Sequence, residues 1–365
     1  MPSSPYKFGV LGGDGIGPEV TVEALKVIKA ASQVFGFKYE TVDFPYGADH
    51  TLETQAKEIM PASALDDMRK LDAVILGAIG DPRFETGVLE RAIVGATRFG
   101  LDLFINLRPI KLYAEHLCPI KGKKPGDLDI LVVRENTEDA YTLIGGFLKK
   151  GTPDEVAQQV MIYTRKGVER VIRYAYELCQ KRGKRRRLTL VDKANAIPAH
   201  DLWRRVFAEV GKEYPDIATD VNFVDACCMW MVKNPESFDT IVTTNLFGDI
   251  ITDLGAMLQG GLGVAAGGNI HPGKVSVFEP IHGSAPKYKG QGKANPIAAI
   301  LAGAMMLDHV GEHAAAARIE VVVEELLRSA KVPSLQAGVM PTSQIGDMVA
   351  EGVQKTEKAA VGAGA

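Results

Sequence analysis

Short apolar runs alternate along the chain with longer amphipathic segments. The run at 73–80 is apolar without interruption and ends in glycine, as expected for a strand buried on both faces of a parallel sheet. Other short apolar or β-branched runs predict strands at 7–11, 101–109, 129–136, 188–195, 221–225 and 238–244. Helical periodicity lies between them, for example at 19–35 and 164–181. Strands that alternate with helices in this way predict an α/β fold.

The strand at 238–244 leads through a short turn into a helix that carries two acidic residues. Asp249 and Asp253 are four positions apart, which places both carboxylates on one face of the helix. The neighbouring helical positions are apolar, so two adjacent negative charges need compensation. A hard divalent cation such as Mg²⁺ or Mn²⁺ provides it, because it takes carboxylate oxygens as ligands. The alternative is a solvated acidic face on a surface helix.

Composition and charge restrict the functional class. The chain has 365 residues, of which 46% are hydrophobic and 24% charged, as is usual for a soluble globular protein with a substantial core. The length suits two domains or one large one. A formal net charge of −3 argues against a general nucleic-acid binder. The basic run at 181–187 lies between a predicted helix and a predicted strand, and we interpret it as a solvated connection.

Cysteine usage and the first residues bear on the compartment. The four cysteines form no CxxC pair and no metal-type spacing with histidine, so neither a disulfide framework nor a zinc site is predicted. The first residues lack the basic start and apolar run of a signal peptide. No stretch approaches the roughly 18 apolar residues of a membrane span. We therefore expect a cytoplasmic protein without a membrane partner.

A glycine-rich loop at 12–18 follows the first predicted strand. It differs from the G-x-G-x-x-G fingerprint, because Pro18 stands where the last glycine belongs. Glycines still allow the backbone to approach a ligand closely, and Pro18 suits the first turn of the next helix. A plain tight turn and a loop at the edge of a cofactor site both remain open.

Three arginines lie at the ends of predicted elements. Arg98 closes the apolar helix at 85–98, and Arg108 and Arg134 lie near the ends of predicted strands. An arginine of this kind is, on its own, more often a surface charge or a structural ion pair. Because guanidinium groups bind carboxylates in a bidentate manner, the three together predict a site for a dicarboxylate.

Four further residues have candidate chemical roles. Tyr141 is either a core tyrosine or a proton donor, and Lys193 is either exposed or a base whose pKa a nearby cation lowers. Asp225 ends a predicted strand. His282, followed by Gly-Ser-Ala, either packs against an adenosine or caps a turn.

Five ordered motifs resemble the β-decarboxylating dehydrogenases, the isocitrate/isopropylmalate dehydrogenase family. They are Leu107-Arg108-Pro109, Arg134-Glu135-Asn136 with Tyr141, Asp192-Lys193-Ala194-Asn195, Asn245-Leu246-Phe247-Gly248-Asp249 and His282-Gly283-Ser284-Ala285-Pro286. The resemblance covers nearly the whole chain. It implies a two-domain α/β fold that is not a true Rossmann fold, with a large cofactor-binding domain at 1–102 plus 258–365. The small domain, at 103–257, then carries the dimer interface and an arm.

The resemblance also implies the reaction and the roles of the candidate residues. Enzymes of this family oxidise a 2-hydroxy acid and then release its 3-carboxylate as carbon dioxide. By resemblance, Arg98, Arg108 and Arg134 hold the substrate carboxylates, Tyr141 protonates the enol carbon, Lys193 is the base for the hydroxyl, and Asp225, Asp249 and Asp253 hold Mg²⁺ or Mn²⁺. Lys193 and Asp225 then act across the interface of a homodimer with shared active sites, so Asp225 also lies beside the substrate.

The helix before Arg98 bears on the substrate. It offers Val88, Leu89, Ile93, Val94 and Gly95, and this apolar set predicts an alkyl arm that contacts Val94. The segment Gly87-Val88-Leu89-Glu90-Arg91 resembles the isopropylmalate branch of the family, and this resemblance implies 3-isopropylmalate as the substrate, converted to 2-oxo-4-methylpentanoate in leucine synthesis. Arg91, together with the isocitrate-like sequence at 134–139, leaves isocitrate, homoisocitrate, D-malate and tartrate open.

The residues expected to contact the cofactor give conflicting indications of whether it is NAD or NADP. The resemblance places the cofactor at His282, Gly283, Ser284, Ala285, Lys287, Tyr288 and Asn295. Lys287 and Tyr288 resemble the pair that meets the 2′-phosphate of NADP, whereas Ala294 resembles the NAD pattern. We expect NAD, with NADP as the alternative. A non-catalytic regulatory subunit of the same fold would have lost metal or proton-transfer residues, and all of them are present.

Overall fold

The computed structural model describes residues 4–355 and divides the chain into two compact units. The first unit comprises Met1–Leu103, Leu112–Pro125 and Ala256–Ala365, and the second comprises Phe104–Lys111 and Gly126–Gly255. The segment Leu112–Pro125, which we assigned to the small domain from the sequence, therefore belongs to the first unit. Within residues 4–355, no helix has both the length and the apolar character needed to cross a membrane.

The first unit contains five strands and eight α-helices among the described residues, numbered here in chain order over both units. The strands are β1 (Tyr6–Gly13), β2 (Tyr39–Asp43), β3 (Ala73–Ala78), β11 (Ala266–Ile270) and β12 (Val277–Pro280). The helices are α1 (Gly17–Phe35), α2 (Ala48–Thr54), α3 (Ala62–Met68), α4 (Val88–Glu90), α5 (Ala96–Gly100), α10 (Ile297–His309), α11 (His313–Arg328) and α12 (Thr342–Gln354). The strand order is β2-β1-β3-β12-β11, and only the β11–β12 pair is antiparallel.

The second unit also contains five strands with helices, together with a separate two-stranded ribbon. Its strands are β4 (Ile105–Lys111), β5 (Asp129–Glu135), β8 (Arg187–Asp192), β9 (Ala218–Phe223) and β10 (Thr240–Thr243), in the order β4-β5-β10-β8-β9. Only β4 and β5 are antiparallel neighbours. The ribbon pairs β6 (Gly145–Leu148) with β7 (Val156–Gln159). The helices are α6 (Arg165–Arg182), α7 (Asp201–Gly211), α8 (Val224–Lys233) and α9 (Asn245–Leu258), whose last residues are counted with the first unit.

Each unit has a buried core at the positions that the apolar pattern predicts. All six residues of β3 are buried, as the uninterrupted run requires. In the second unit, the apolar face of α6 packs on α7, where Tyr176 contacts Phe207 at 5.3 Å between ring centroids. Trp203 of α7 is fully buried. Truncation of such an aromatic core residue to alanine costs about 3–5 kcal/mol, so this helix pair anchors the second unit.

Parallel pairing brings candidate residues of the second unit to one edge of its strands. In the second unit, β5, β8, β9 and β10 run in the same direction, so their carboxyl ends meet at the same edge. The residues that follow these ends include Tyr141, Lys193, Asp225 and Asp249. Ligand sites in open α/β sheets lie outside the carboxyl ends of the strands. The topology therefore explains why candidates far apart in sequence share one region of this unit.

Three elements differ from the sequence-based predictions. The strand expected at 101–109 begins only at Ile105, because Asp102 has a left-handed backbone with φ of 51°; Arg108 consequently lies inside β4 rather than at its end. The helix expected at 85–98 is α4 and α5 joined by a π-helical turn, Arg91–Gly95. Asp225 lies in the first turn of α8 rather than in a strand, because Cys227 and Met231, four apart, are both buried on one helical face.

Candidate active site

The two acidic residues of α9 lie against two arginines. Arg134 Nη1 is 2.6 Å from Asp249 Oδ1, and Arg108 Nη2 is 3.5 Å from the same oxygen. Arg108 Nη1 is also 3.6 Å from Asp253 Oδ1. Arg108 thus contacts both carboxylates that the four-residue spacing placed on one helical face. Four of the predicted site residues are brought together within the second unit.

Arg134 is locked in position by the first turn of α9. Its side chain is 1% exposed, and its guanidinium donates to the Asn245 carbonyl oxygen (Nε, 2.8 Å) and to Asn245 Oδ1 (Nη2, 2.7 Å). Gly248 permits this approach, because a Cβ atom at that position would lie 2.4 Å from Arg134 Cγ. Asn245 and Gly248 are therefore the local reason that this buried charge reaches Asp249.

Tyr141 completes the cluster. Its hydroxyl donates to Asp249 Oδ2 at 2.7 Å, and Arg134 Cζ lies 5.3 Å from the centre of its ring. The side chain is half-buried. The tyrosine is thus not a core residue; its hydroxyl lies at the carboxylate that the sequence predicts to be a metal ligand.

The surroundings of Asp253 make its negative charge less favourable than in water. Burial raises the pKa of its carboxyl above the usual range, the negative charge of Asp249 adds to this, and Arg108 opposes it. A cation at the two carboxylates would relieve this cost. The donor set, two carboxylates on one helical face, fits a hard divalent cation. Among residues 4–355 of the single chain, no group of three or more His, Cys, Asp or Glu side chains is arranged to hold a metal.

Lys193 and Asp225 form a second charged pair in the same unit. Lys193 Nζ is 2.6 Å from Asp225 Oδ1, and this hydrogen bond lowers the pKa of the aspartate. Lys193 is the first residue after β8, and Asp225 is in the first turn of α8. The structure thus brings together the two residues that the family resemblance assigns to the neighbouring subunit's site.

Arg98 lies in the first unit and is already paired there. Its Nη2 is 3.2 Å from Glu279 Oε1, and its Nε donates to Asn269 Oδ1 at 3.0 Å. Asn269 Nδ2 also donates to Glu279 Oε1, at 2.7 Å. The ion-pair interpretation of this arginine therefore describes its state in this structure.

The apolar helix before Arg98 has two roles that the sequence did not separate. Leu89 and Ile93 are fully buried and belong to the core of the first unit. Val88, Val94 and Gly95 are only partly buried, and Val94 packs against the edge of that core. Much of the apolar pattern is thus explained by packing, and the argument for an alkyl-binding surface rests on the partly exposed residues.

The glycine loop of the first unit is organised by Asp14, a residue that our sequence analysis did not single out. Its buried carboxylate accepts from the backbone N–H groups of Ala48 (2.7 Å) and Gly80 (2.9 Å). The next residues contact the predicted cofactor segment, since Ile16 N–H donates to the Ser284 carbonyl oxygen at 2.8 Å. A Cβ atom at Gly15, which has φ of 56°, would lie 1.9 Å from that oxygen. The loop is therefore part of one connected edge with residues 282–285.

The predicted cofactor residues all lie in the first unit. His282 Nδ1 contacts the Gly283 carbonyl oxygen at 3.1 Å, and burial lowers the pKa of the imidazole, which is therefore neutral at pH 7. His282 Nε2 is buried without a hydrogen-bond partner in the described part of the chain. Buried polar atoms usually have partners, so this nitrogen is suited to a ligand donor. Asn295 Oδ1 accepts from Ile297 N–H (3.0 Å) at the start of α10.

Lys287 and Tyr288 form a short helical turn after Ala285, which has φ of 40°. Lys287 Nζ lies 4.7 Å from the centre of the Tyr288 ring, and the lysine is exposed. The adjacent Lys289 is paired with Asp49, which also binds Arg83 at 2.6 Å. The ammonium group of Lys287 thus lies over a tyrosine ring, whereas that of Lys289 is in an ion pair.

Known proteins resemble this chain over nearly its whole length. The family model described as isocitrate/isopropylmalate dehydrogenase matches residues 7–349. A 3-isopropylmalate dehydrogenase from Thermobifida fusca is 47% identical over 97% of this chain and 99% of its own length. A 3-isopropylmalate dehydrogenase from Corynebacterium diphtheriae is 46% identical over 96% of this chain and 100% of its own length.

Solved structures give the same fold. The crystal structure of isocitrate dehydrogenase from Methylococcus capsulatus matches with a TM-score of 0.85 and 36% identity, covering 96% of this chain and 99% of that one. A β-decarboxylating dehydrogenase from Thermococcus kodakarensis, in its apo form, matches with a TM-score of 0.77 and 30% identity, covering 97% of each chain.

Proposed function

The chain belongs to the isocitrate/isopropylmalate dehydrogenase family, and from this premise we propose that it oxidises and decarboxylates 3-isopropylmalate to 2-oxo-4-methylpentanoate, with NAD as hydride acceptor. The substrate comes from the relatives named 3-isopropylmalate dehydrogenase, which match over almost the whole chain. The observation that carries the chemistry is the cluster of Arg108, Arg134, Tyr141, Asp249 and Asp253.

The arginines of this cluster suit a dicarboxylate substrate. In the present structure Arg108 and Arg134 are neutralised by the α9 carboxylates. With Asp249 and Asp253 engaged as metal ligands, the guanidinium groups of Arg108 and Arg134 would turn to the substrate carboxylates. Arg98 keeps the same proposed role, which requires its bond to Glu279 to be shared or exchanged.

The proposed resident metal is Mg²⁺ or Mn²⁺, held by Asp249 and Asp253 of one subunit and, by family resemblance, by Asp225 of the other. Such an ion supplies positive charge that favours ionisation of the substrate hydroxyl and stabilises the enolate left by decarboxylation. The raised pKa of Asp253 supports this assignment, because an added cation would reverse that shift.

Proton transfer is assigned to two residues. Tyr141 is the proposed acid, and its hydroxyl is held beside Asp249 at 2.7 Å. Lys193 is the proposed base for the substrate hydroxyl in the neighbouring subunit's site, and Asp225 orients its ammonium group at 2.6 Å. Removing the hydroxyl proton and protonating the enol carbon are separate steps, so separate groups are needed.

A homodimer with shared sites is supported by apolar surface on the second unit. Large side chains that are more than 40% exposed occur on the ribbon (Phe147, Leu148, Val156), on α8 (Met229, Trp230, Val232) and on α9 (Ile250). A contiguous apolar patch marks an interaction surface, and we propose that these side chains form one. Asp225, in the first turn of α8, is close in sequence to the exposed residues of that helix.

NAD is the proposed cofactor, and NADP is the alternative. His282 supports an adenine nucleotide, because its buried Nε2 is suited to a donor such as an adenine amino group. The exposed ammonium of Lys287 favours a 2′-phosphate, whereas the buried Ala294 follows the NAD pattern. We choose NAD because it is usual for the isopropylmalate branch of the family.

The test is a set of initial rates with the full-length protein and Mg²⁺. The substrates are 3-isopropylmalate, isocitrate, homoisocitrate, D-malate and tartrate, each with NAD⁺ and with NADP⁺, and Tyr141→Phe is the control for site-dependent turnover. We expect the highest kcat/KM with 3-isopropylmalate and NAD⁺. Preference for isocitrate would overturn the substrate assignment and point to Arg91. No turnover with any pair would favour the regulatory-subunit alternative.

A further inference from the structure

Two buried side chains, Asp139 and His200, and the partly buried Tyr163 link the two proposed proton-transfer residues of one subunit. The backbone N–H of Lys193 donates to His200 Nδ1 at 2.9 Å. His200 Nε2 is 3.0 Å from the Tyr163 hydroxyl, which in turn is 2.8 Å from Asp139 Oδ1. Asp139 and His200 are fully buried, and all the groups lie in the second unit. These contacts form one continuous line of hydrogen bonds.

The chemistry of the groups fixes the direction of the line. A backbone N–H can only donate, so Nδ1 of His200 is the acceptor and Nε2 carries the proton. Nε2–H therefore donates to the Tyr163 oxygen, and the Tyr163 hydroxyl donates to Asp139. Burial lowers the pKa of His200 and raises that of Tyr163, which keeps both neutral in this arrangement.

Asp139 connects the line to the active-site cluster. Its Oδ1 also accepts from Ala140 N–H at 2.8 Å, in the short turn that contains Tyr141. Its Oδ2 accepts from Leu246 N–H at 2.9 Å, in the first turn of the helix that carries Asp249. One carboxylate thus fixes both the turn of the proposed acid and the helix of the proposed metal ligands.

The backbone of Asp139 is strained. It has φ of 70° and ψ of −152°, a combination that is essentially restricted to glycine. Its N–H donates to the Ile162 carbonyl oxygen at 2.8 Å, which holds the residue in place beside the segment that carries Tyr163. Strained residues cluster at functional sites, where the surrounding contacts impose the conformation.

We propose that His200, Tyr163 and Asp139 are positioning residues that act as one unit, holding the turn of Lys193 and the turn of Tyr141 in fixed relation. This rests on the proposed function, which supplies the roles of those two residues. Because Lys193 is proposed to act in the neighbouring subunit's site and Tyr141 in its own, the line would connect the two active sites of the dimer through each subunit.

The test compares Tyr163→Phe with a matched control, Tyr176→Phe, in the full-length protein. The hydroxyl of Tyr176 is also buried in the second unit, where it donates to the Phe207 carbonyl oxygen at 3.1 Å. Tyr163→Phe loses two hydroxyl hydrogen bonds, with Asp139 and His200, and Tyr176→Phe loses one, so both unfolding midpoints should decrease, that of Tyr163→Phe somewhat more. Only Tyr163→Phe should lower kcat, by about 10- to 100-fold, as expected when reacting groups are displaced, with KM changed less than about twofold.

A second comparison separates positioning from general weakening. In the Tyr141→Phe background, Tyr163→Phe should lower kcat by a smaller factor than in the unmodified protein, because one of the two groups that it displaces has already been removed. His200→Asn keeps an acceptor for the Lys193 N–H but breaks the bond to Tyr163, and should reproduce the kcat loss of Tyr163→Phe.

The proposal is overturned if Tyr163→Phe and His200→Asn both keep the kcat of the control variant. It is also overturned if the losses of Tyr141→Phe and Tyr163→Phe multiply. If Tyr163→Phe does not fold, the kcat of His200→Asn decides. Either negative result leaves the proposed function intact, provided that the unmodified protein turns over 3-isopropylmalate; failure of that turnover is the separate failure of the function.

Discussion

Asp249→Asn should lower the stability of the metal-free protein, whereas Asp253→Asn should not, and both variants should lose the stabilisation by Mg²⁺. Asp249 neutralises Arg134, which is 1% exposed, across 2.6 Å. Removing one partner of a fully buried ion pair costs about 3–5 kcal/mol. Asp249 is itself 37% exposed, and Asn245 continues to bind the guanidinium, so we expect a smaller loss of about 1–3 kcal/mol without metal.

Asp253→Asn is the matched variant on the same face. Its side chain is 62% exposed and its nearest cation, Arg108, is 3.6 Å away. Because burial and Asp249 raise its pKa, neutralising it removes an unfavourable charge. We expect the metal-free free energy of unfolding to change by less than about 0.5 kcal/mol.

The second measurement is the change in the free energy of unfolding on addition of Mg²⁺. A ligand that binds only the folded state at about 100 times its Kd stabilises that state by about 2.7 kcal/mol. Urea unfolding in EDTA and in saturating Mg²⁺ should therefore show a metal-dependent gain in the unmodified protein and in neither variant. If Asp249→Asn is as stable as the unmodified protein in EDTA, the ion-pair argument is wrong. If either variant keeps the full Mg²⁺-dependent gain, its carboxylate is not a metal ligand.

Three further predictions follow from particular side chains. Burial raises the pKa of Glu135 to about 7, so the folded state holds a proton that the unfolded state releases above about pH 4.5. The free energy of unfolding should therefore fall by about 3 kcal/mol as the pH rises from about 4.5 through 7. Glu135→Gln should make the free energy of unfolding nearly constant between about pH 5 and 8. Phe147→Asp, on the exposed ribbon, should shift the mass by light scattering from dimer toward monomer, whereas Lys149→Asp should not. Lys287→Asp should lower kcat/KM for NADP⁺ at least about tenfold relative to NAD⁺, and an unchanged ratio would exclude Lys287 from cofactor choice.

The family and the α/β fold were predictable from the sequence, and the comparisons confirm both. The apolar run at 73–80 carries its own signal, because a strand buried on both faces requires uninterrupted apolar residues. The spacing of Asp249 and Asp253 likewise predicts a shared helical face. These predictions succeed because each depends on a local period.

Features that depend on distant contacts were not predictable. Asp14 organises the first-unit loops through backbone groups at residues 48 and 80, which no local pattern identifies. Asp139, Tyr163 and His200 meet only after β5, α6 and β8 are packed. Leu89 and Ile93 illustrate the opposite error, since apolar residues near a site have the same pattern whether they face a substrate or the core. The roles of the predicted site residues stay predictions until the variants are measured.

The paired charges of the second unit also connect metal and substrate binding. Arg108 and Arg134 contact Asp249 at 3.5 and 2.6 Å, so guanidinium groups and carboxylates satisfy one another in the metal-free chain. If a cation binds the aspartates, as proposed, it would weaken these bonds and favour the binding of a dicarboxylate to the arginines. By reciprocity, the dicarboxylate must raise the affinity for the cation by the same factor. The buried arginine thus stabilises the protein without ligands through the same atoms that are proposed to recognise its substrate.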